Sequence, residues 1–193
     1  MTLRTLVPVA AVPLYTSLPA SPVDGQVIDY LADATNGVVW RLRYRAASSS
    51  SYKWEFIGGP PLHKEYLAYE SFASYQPNTW GGISANDPSV TVPLAGDYDT
   101  VATGVMSVNS VAATIYMGLK VGTVEPKDSL GEAAFYYSEA AHLTGGCQLV
   151  LQRRFLAVAA GVAITQRYEH NGSSAQTLSR GTAALRVTPV RVG

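Results

Sequence analysis

Residues able to do chemistry are scattered thinly through this chain. Its three histidines, His63, His142 and His170, stand far apart, and none sits in an H-x-x-x-H or H-E-x-x-H setting that would bind zinc. His63 follows a proline pair and His170 precedes Asn171-Gly172, so both are expected in solvated loops. The single Cys147 excludes an internal disulfide and any multi-cysteine zinc site. It opens an apolar run after Gly145-Gly146, where a small buried hydrophobe is expected rather than a thiolate activated by histidine. Asp97 and Asp99 share a strand face and could hold calcium, but a hard cation needs several converging oxygens. Glu125, Asp128 and Glu132 around Pro126 meet the same objection. The glycines match neither a Walker loop nor a dinucleotide fingerprint. Asn171-Gly172-Ser173 fits the glycosylation pattern, yet Asn-Gly between strands is first a turn, since both residues tolerate positive φ. The expectation is therefore no catalytic residue, no metal and no cofactor.

The elements that would position such residues read as strands. Val38, Trp40, Leu42 and Tyr44 alternate with Val39, Arg41, Arg43 and Arg45, giving one apolar face and one face with three arginines. Asp24-Gly25 and Asn36-Gly37 supply turns, and residues 26–31 form the strand between them. After the serine-rich 46–51 linker, Tyr52, Trp54 and Phe56 alternate with Lys53 and Glu55, so Glu55 can face the arginine row. Residues 23–61 are thus a small β-meander, closed by Gly58-Gly59-Pro60-Pro61. Beyond it, strands are expected at 65–73, 89–94, 98–108, 112–121, 147–158, 161–170, 175–178 and 182–192, the pattern of a sandwich or barrel. Residues 130–143 carry good helix formers and read as helix first, strand second.

Composition narrows the function classes. In 193 residues there are 14 basic and 14 acidic side chains, and charged residues make up only 15%, against about 25% in an ordinary domain. Zero net charge gives no attraction to nucleic acid or acidic membranes and no repulsion between copies. The aromatics beside the arginine row point to the opposite face, so they make no stacking platform for single strands. No apolar run is long enough to span a bilayer. An oligomer within a larger assembly is expected.

Residues 1–22 carry Pro8, Pro13, Pro19 and Pro22, which exclude a helix, a central strand and the apolar helix of a signal peptide. Yet Leu6, Val9, Val12, Leu14 and Tyr15 are too apolar for a free tail. An extended arm lying on a neighbouring subunit or partner is expected, with Trp40, Tyr44, Trp54 and Phe56 as further interface candidates. Trp80, Tyr136 and Tyr137 are candidate ligand-contact aromatics.

Two resemblances add to this. Residues 18–61, through Pro22-Val23-Asp24-Gly25-Gln26, Gly37-Val38-Val39-Trp40, Arg43-Tyr44-Arg45 and Trp54-Glu55-Phe56, resemble a small module of tailed-bacteriophage virion proteins, notably of actinobacterial phages. The segment 94–99 (LAGDYD), with 154–161 and Ile164, is similar to trimeric jelly rolls of the tumour necrosis factor and complement type. Together they imply an all-β chain: an extended arm (1–22), a β-meander that anchors (23–61) and a jelly-roll β-sandwich (62–193). The function implied is that of a non-enzymatic homotrimer on a phage particle, either capsid decoration or tail-associated. It would assemble in host cytoplasm and contact other virion proteins. A module binding host glycans is the alternative; neither nucleic acid nor membrane insertion is expected.

Overall fold

The computed structural model describes residues 11–108, 113–127 and 147–193, and the backbone of 133–138. They form two sheets and no helix. The meander is β2 (Val27–Asp33), β3 (Val38–Tyr44) and β4 (Trp54–Gly58), paired antiparallel in sequence order. Gly25 and Gly37 take positive φ (80° and 66°) in the turns that open β2 and β3, as the Asp-Gly and Asn-Gly pairs predict. The arm contributes β1 (Leu14–Tyr15), which lies parallel to β2.

The remaining strands are β5 (Leu62–Tyr66), β6 (Glu70–Tyr75), β7 (Ser89–Thr91), β8 (Gly96–Val108), β9 (Ala113–Val121), β10 (Ala133–Ser138), β11 (Cys147–Val158), β12 (Ala163–His170) and β13 (Gln176–Val192). Their pairing is nested. β9 pairs β10, β8 pairs β11, β7 pairs β12, and β5 and β6 pair β13, every pair antiparallel. A long hairpin rolled up in this way is a jelly roll, so the topology follows from the registers themselves. The small sheet runs β10-β9-β12-β7. The large sheet runs β1-β2-β3-β4-β13-β8-β11, with β5 and β6 also on β13.

Strict alternation along β8 explains the packing. Tyr98, Thr100, Ala102, Gly104, Met106 and Val108 are buried, while Asp97, Asp99, Val101, Thr103, Val105 and Ser107 lie on the other face, less buried. The small inner residues leave room for Met117, Ile164 and Gln166 of the small sheet, all fully buried. A Cβ added at Gly104 would approach the Met117 sulfur to 3.3 Å. The meander joins the same core, because Tyr98 packs against Trp40 with ring centroids 6.4 Å apart.

Several expected elements shift. The predicted 65–73 strand is two strands, and 175–178 and 182–192 merge into β13 across a register irregularity between Arg180 and Ala183. Within 130–143, residues Ala133–Ser138 form a strand, not a helix. Closing the innermost hairpin on β9 decides that segment over its Ala and Glu propensity; the rest of the stretch lies outside the described residues.

Leu185, fully buried on β13, tests whether this strand anchors the core. Leu185→Ala should cost roughly 2–5 kcal/mol in denaturant unfolding. The exposed Thr182→Ala on the same strand should stay within about 0.5 kcal/mol of the parent.

Candidate functional site

The structure first relocates the interface candidates. Trp40 is 0% exposed and Trp54 3%, so both are core residues rather than contact surface. The Trp40 indole N–H donates to the Pro60 carbonyl at 3.1 Å, and the ring meets Tyr30 and Phe56. Tyr44 stacks edge-on against Trp54 at 5.3 Å, and Phe56 is partly buried beside them. The apolar face of the meander is filled by its own chain.

The described part of the arm also lies on its own meander. Asp29 donates its N–H to the Pro13 carbonyl at 2.9 Å, and Tyr15 and Leu18 pack on the core. Residues 14–15 take the edge of the chain's own β2, which presents a free edge that a proline-flanked strand can take. Leu14 remains 60% exposed and Val12 half-buried, while Leu6 and Val9 lie outside the described residues. Of the candidate ligand-contact aromatics, Trp80 is half-buried with its ring 6.4 Å from Tyr116. Tyr136 and Tyr137 sit on β10, and their side chains lie outside the described residues.

The groups singled out for chemistry are mostly engaged internally. Arg154 grips Asp99 with two bonds of 2.7 and 2.8 Å, and Asp97 accepts the N–H of Ala157 at 3.0 Å, so both carboxylates are tied to β11. That N–H is displaced because Ala157 takes φ 54° at the bulge between Phe155 and Val158. Glu125 pairs with Lys120 at 2.5 Å and lies 3.6 Å from Arg167. Cys147 is half-buried, and burial pushes its thiol up, away from nucleophilic use. His142, Asp128 and Glu132 lie outside the described residues.

His170 is not a loop residue. It is fully buried at the end of β12; its Nδ1 accepts the Gly172 N–H at 3.1 Å, so Nε2 carries the proton and donates to the Tyr75 carbonyl at 2.9 Å. His63 is exposed, but on β5 rather than in a loop. Asn171 and Gly172 do not take positive φ. Instead the Asn171 side-chain oxygen accepts the Thr114 N–H at 2.7 Å, tying the segment after β12 to β9.

A buried polar cluster went unread in the sequence. Arg180 is 0% exposed; its guanidinium donates to Asp87 at 2.5 Å and to Glu70, and lies 5.3 Å over the Tyr66 ring. It thereby ties β13 to β6 and to the loop before β7. Burial pushes the Asp87 carboxyl up to about 6, against the pull of Arg180. The exposed carboxylates go the other way: hydrogen bonds from Arg41 to Asp29, from Arg43 to Glu55 and from Arg154 to Asp99 hold each below the usual range.

Two surfaces remain open. On the outer face of the large sheet, Val150, Thr103, Ala184 and Glu65 form one row and Gln152, Val101, Arg186 and His63 the next. Glu65 and Arg186 are the charged members of these two rows, and Val150 is 57% exposed. Beside it, Leu67, Tyr69 and Phe72 are 69%, 70% and 45% exposed. The hydroxyls of Ser179, Ser71 and Ser107 draw the pKa of the Tyr69 phenol down, and those of Ser71 and Ser179 bond each other at 2.7 Å.

Arg180→Leu should cost roughly 3–5 kcal/mol, because it strands Asp87 in the interior. The pH dependence has a definite sign. Asp87, raised from 3.8 to about 6, stabilises most when protonated, and that contribution is lost as pH rises through 6. Asp29, Glu55 and Asp99 contribute above the ordinary carboxylate range and lose it as pH falls. Thermal unfolding of Asp87→Asn should therefore lack the decline that the parent shows from pH 4 to 6.5.

No protein-family model matches this chain, and no curated protein matches it. Among solved structures, Eiger TNF from S. frugiperda is 9% identical with a TM-score of 0.43, over 69% of this chain and 96% of that one. The infectious bursal disease virus VP2 subviral particle is 8% identical with a TM-score of 0.42, over 79% of this chain and 42% of that one. The xylan-binding module CBM15 is 14% identical with a TM-score of 0.37, over 85% of this chain and 97% of that one. These likenesses are of general layout; the jelly roll assigned above rests on the strand registers.

Proposed function

We propose that this chain is a non-enzymatic structural protein of a tailed-bacteriophage virion, a homotrimer displayed on the particle as capsid decoration or as a tail-associated protein. The observation that carries the reading is where the charge goes. Acidic side chains that could serve catalysis (Asp29, Glu55, Glu70, Asp87, Asp99 and Glu125) are bound to arginine or lysine within the fold. What stays exposed on and beside the large sheet includes the apolar Val150 and Leu67 and the ring of Tyr69, surface suited to another protein. The resemblance of residues 18–61 to a phage virion module supports the setting. Partners are then copies of the chain and other virion proteins, and its place is the particle.

A second reading has its own observation. Tyr69, exposed beside the hydroxyls of Ser71, Ser107 and Ser179, offers an aromatic ring with polar flanks, which suits a host-surface glycan. Substituting Tyr69→Ala should abolish glycan-array binding if this reading holds and change nothing in assembly.

Light scattering should give three 20.5 kDa chains per particle at micromolar concentration, with no turnover of peptidoglycan or host glycans. A stable monomer, or hydrolysis abolished by one carboxylate substitution, would overturn the proposal. Leu14→Asp, at an exposed site on the arm, should lower occupancy on virions several-fold while leaving the trimer intact.

A further inference from the structure

Five charged side chains meet on one face of the large sheet. Arg43 on β3, Glu55 on β4 and Arg191 on β13 stand in one row across three strands. Arg45 lies two residues beyond Arg43 and Lys53 two residues before Glu55, so by the period of a strand they project to the same side. In a chain of 14 basic and 14 acidic residues, this places four cations around Glu55, with Asp97 of β8 opposite Arg191 on its other side.

The Glu55 carboxylate is already satisfied. Arg43 donates to Glu55 at 2.6 Å and, with the more distant fields of Arg45 and Arg191, holds its carboxyl below the usual range. Lys53 donates one N–H to the Ser48 carbonyl and keeps two. Arg45 and Arg191 make no side-chain hydrogen bond or ion pair among the described residues, leaving two forks of five N–H donors each. The Arg43 Nε–H is buried with no acceptor. Arg45, Lys53 and Arg191 line a recess of about 100 Å³, floored by Glu55 and walled by Ala47 and Ser48. That is room enough for one tetrahedral or planar oxyanion.

We infer that this recess, between the β3–β4 hairpin and the end of β13, binds a single oxyanion group, a carboxylate or a phosphate. The anion accepts bidentate bonds from Arg45 and Arg191, and its charge relieves the repulsion between cations that the sheet register forces together. The inference stands independently of the proposed function.

The test is titration of the full chain with inorganic phosphate and, separately, with acetate, each against sodium chloride at equal ionic strength, followed by amide chemical shifts and calorimetry. Saturable binding is expected, weakened about tenfold or more in Arg45→Gln/Arg191→Gln, with Arg45→Gln alone intermediate. Arg186→Gln, an exposed arginine outside the recess, should bind as the parent does. Saturation by phosphate alone identifies a tetrahedral group; saturation by acetate identifies the carboxylate of an acidic partner residue. A response that chloride reproduces, that survives the double substitution, or that Arg186→Gln diminishes equally would overturn the assignment.

Discussion

A single strand, Gln176–Val192, holds the molecule together by being paired on both edges. One edge carries β8 through most of its length. The other is shared in turn by β6, β5 and β4. An arrangement like this satisfies backbone groups that would otherwise be buried without partners, and it permits no slip: a shift of one residue would turn Leu185 and Val187 to solvent. The meander and the jelly roll are continuous because β4 takes the last two positions of this strand, and because Trp40 reaches Tyr98 behind it.

The polar interior reinforces the same strand at a cost. Arg180 leaves β13 to meet two carboxylates that come from outside the strand, and the raised Asp87 shows that desolvation outweighs the attraction. Across the sandwich, Gln166 donates to the Thr103 carbonyl at 3.0 Å, joining the small sheet to the large one by a directional contact. Apolar packing supplies the cohesion, and these few polar contacts specify which layers meet and in what register.

What could be read from sequence was whatever a strand states about itself. Trp40, Leu42 and Tyr44 against Arg41 and Arg43 announced β3, and the glycine turns marked its neighbours; Glu55 meeting Arg43 followed from the same alternation. What stayed hidden depended on residues far away. Trp40 and Trp54 looked like contact surface because nothing local reveals that Tyr98 covers the apolar face. His170 looked solvated because the Tyr75 carbonyl that binds it comes from 95 residues earlier. Arg180 gave no sign of burial, since its acids lie on β6 and in the loop ahead of β7. The recess at Arg45 and Arg191 required the register of β13 on β4, which no pattern within either strand contains.

The nested pairing also has a kinetic consequence. Glu55 pairs with Arg191 and His63 with Arg186, so the outermost ladders join segments more than a hundred residues apart in the chain. Loop-closure entropy must be met before those contacts return anything, which places this fold among the slow, high-contact-order folders. The central β9–β10 pair, the one in the roll whose strands lie nearest in sequence, is the natural nucleus, with the outer pairs zipping on in order. The meander, though complete early in the sequence, is the last region to acquire its permanent neighbour. Until then its β4 edge is an open template, and in a crowded assembly the nearest strand to find it could belong to another copy.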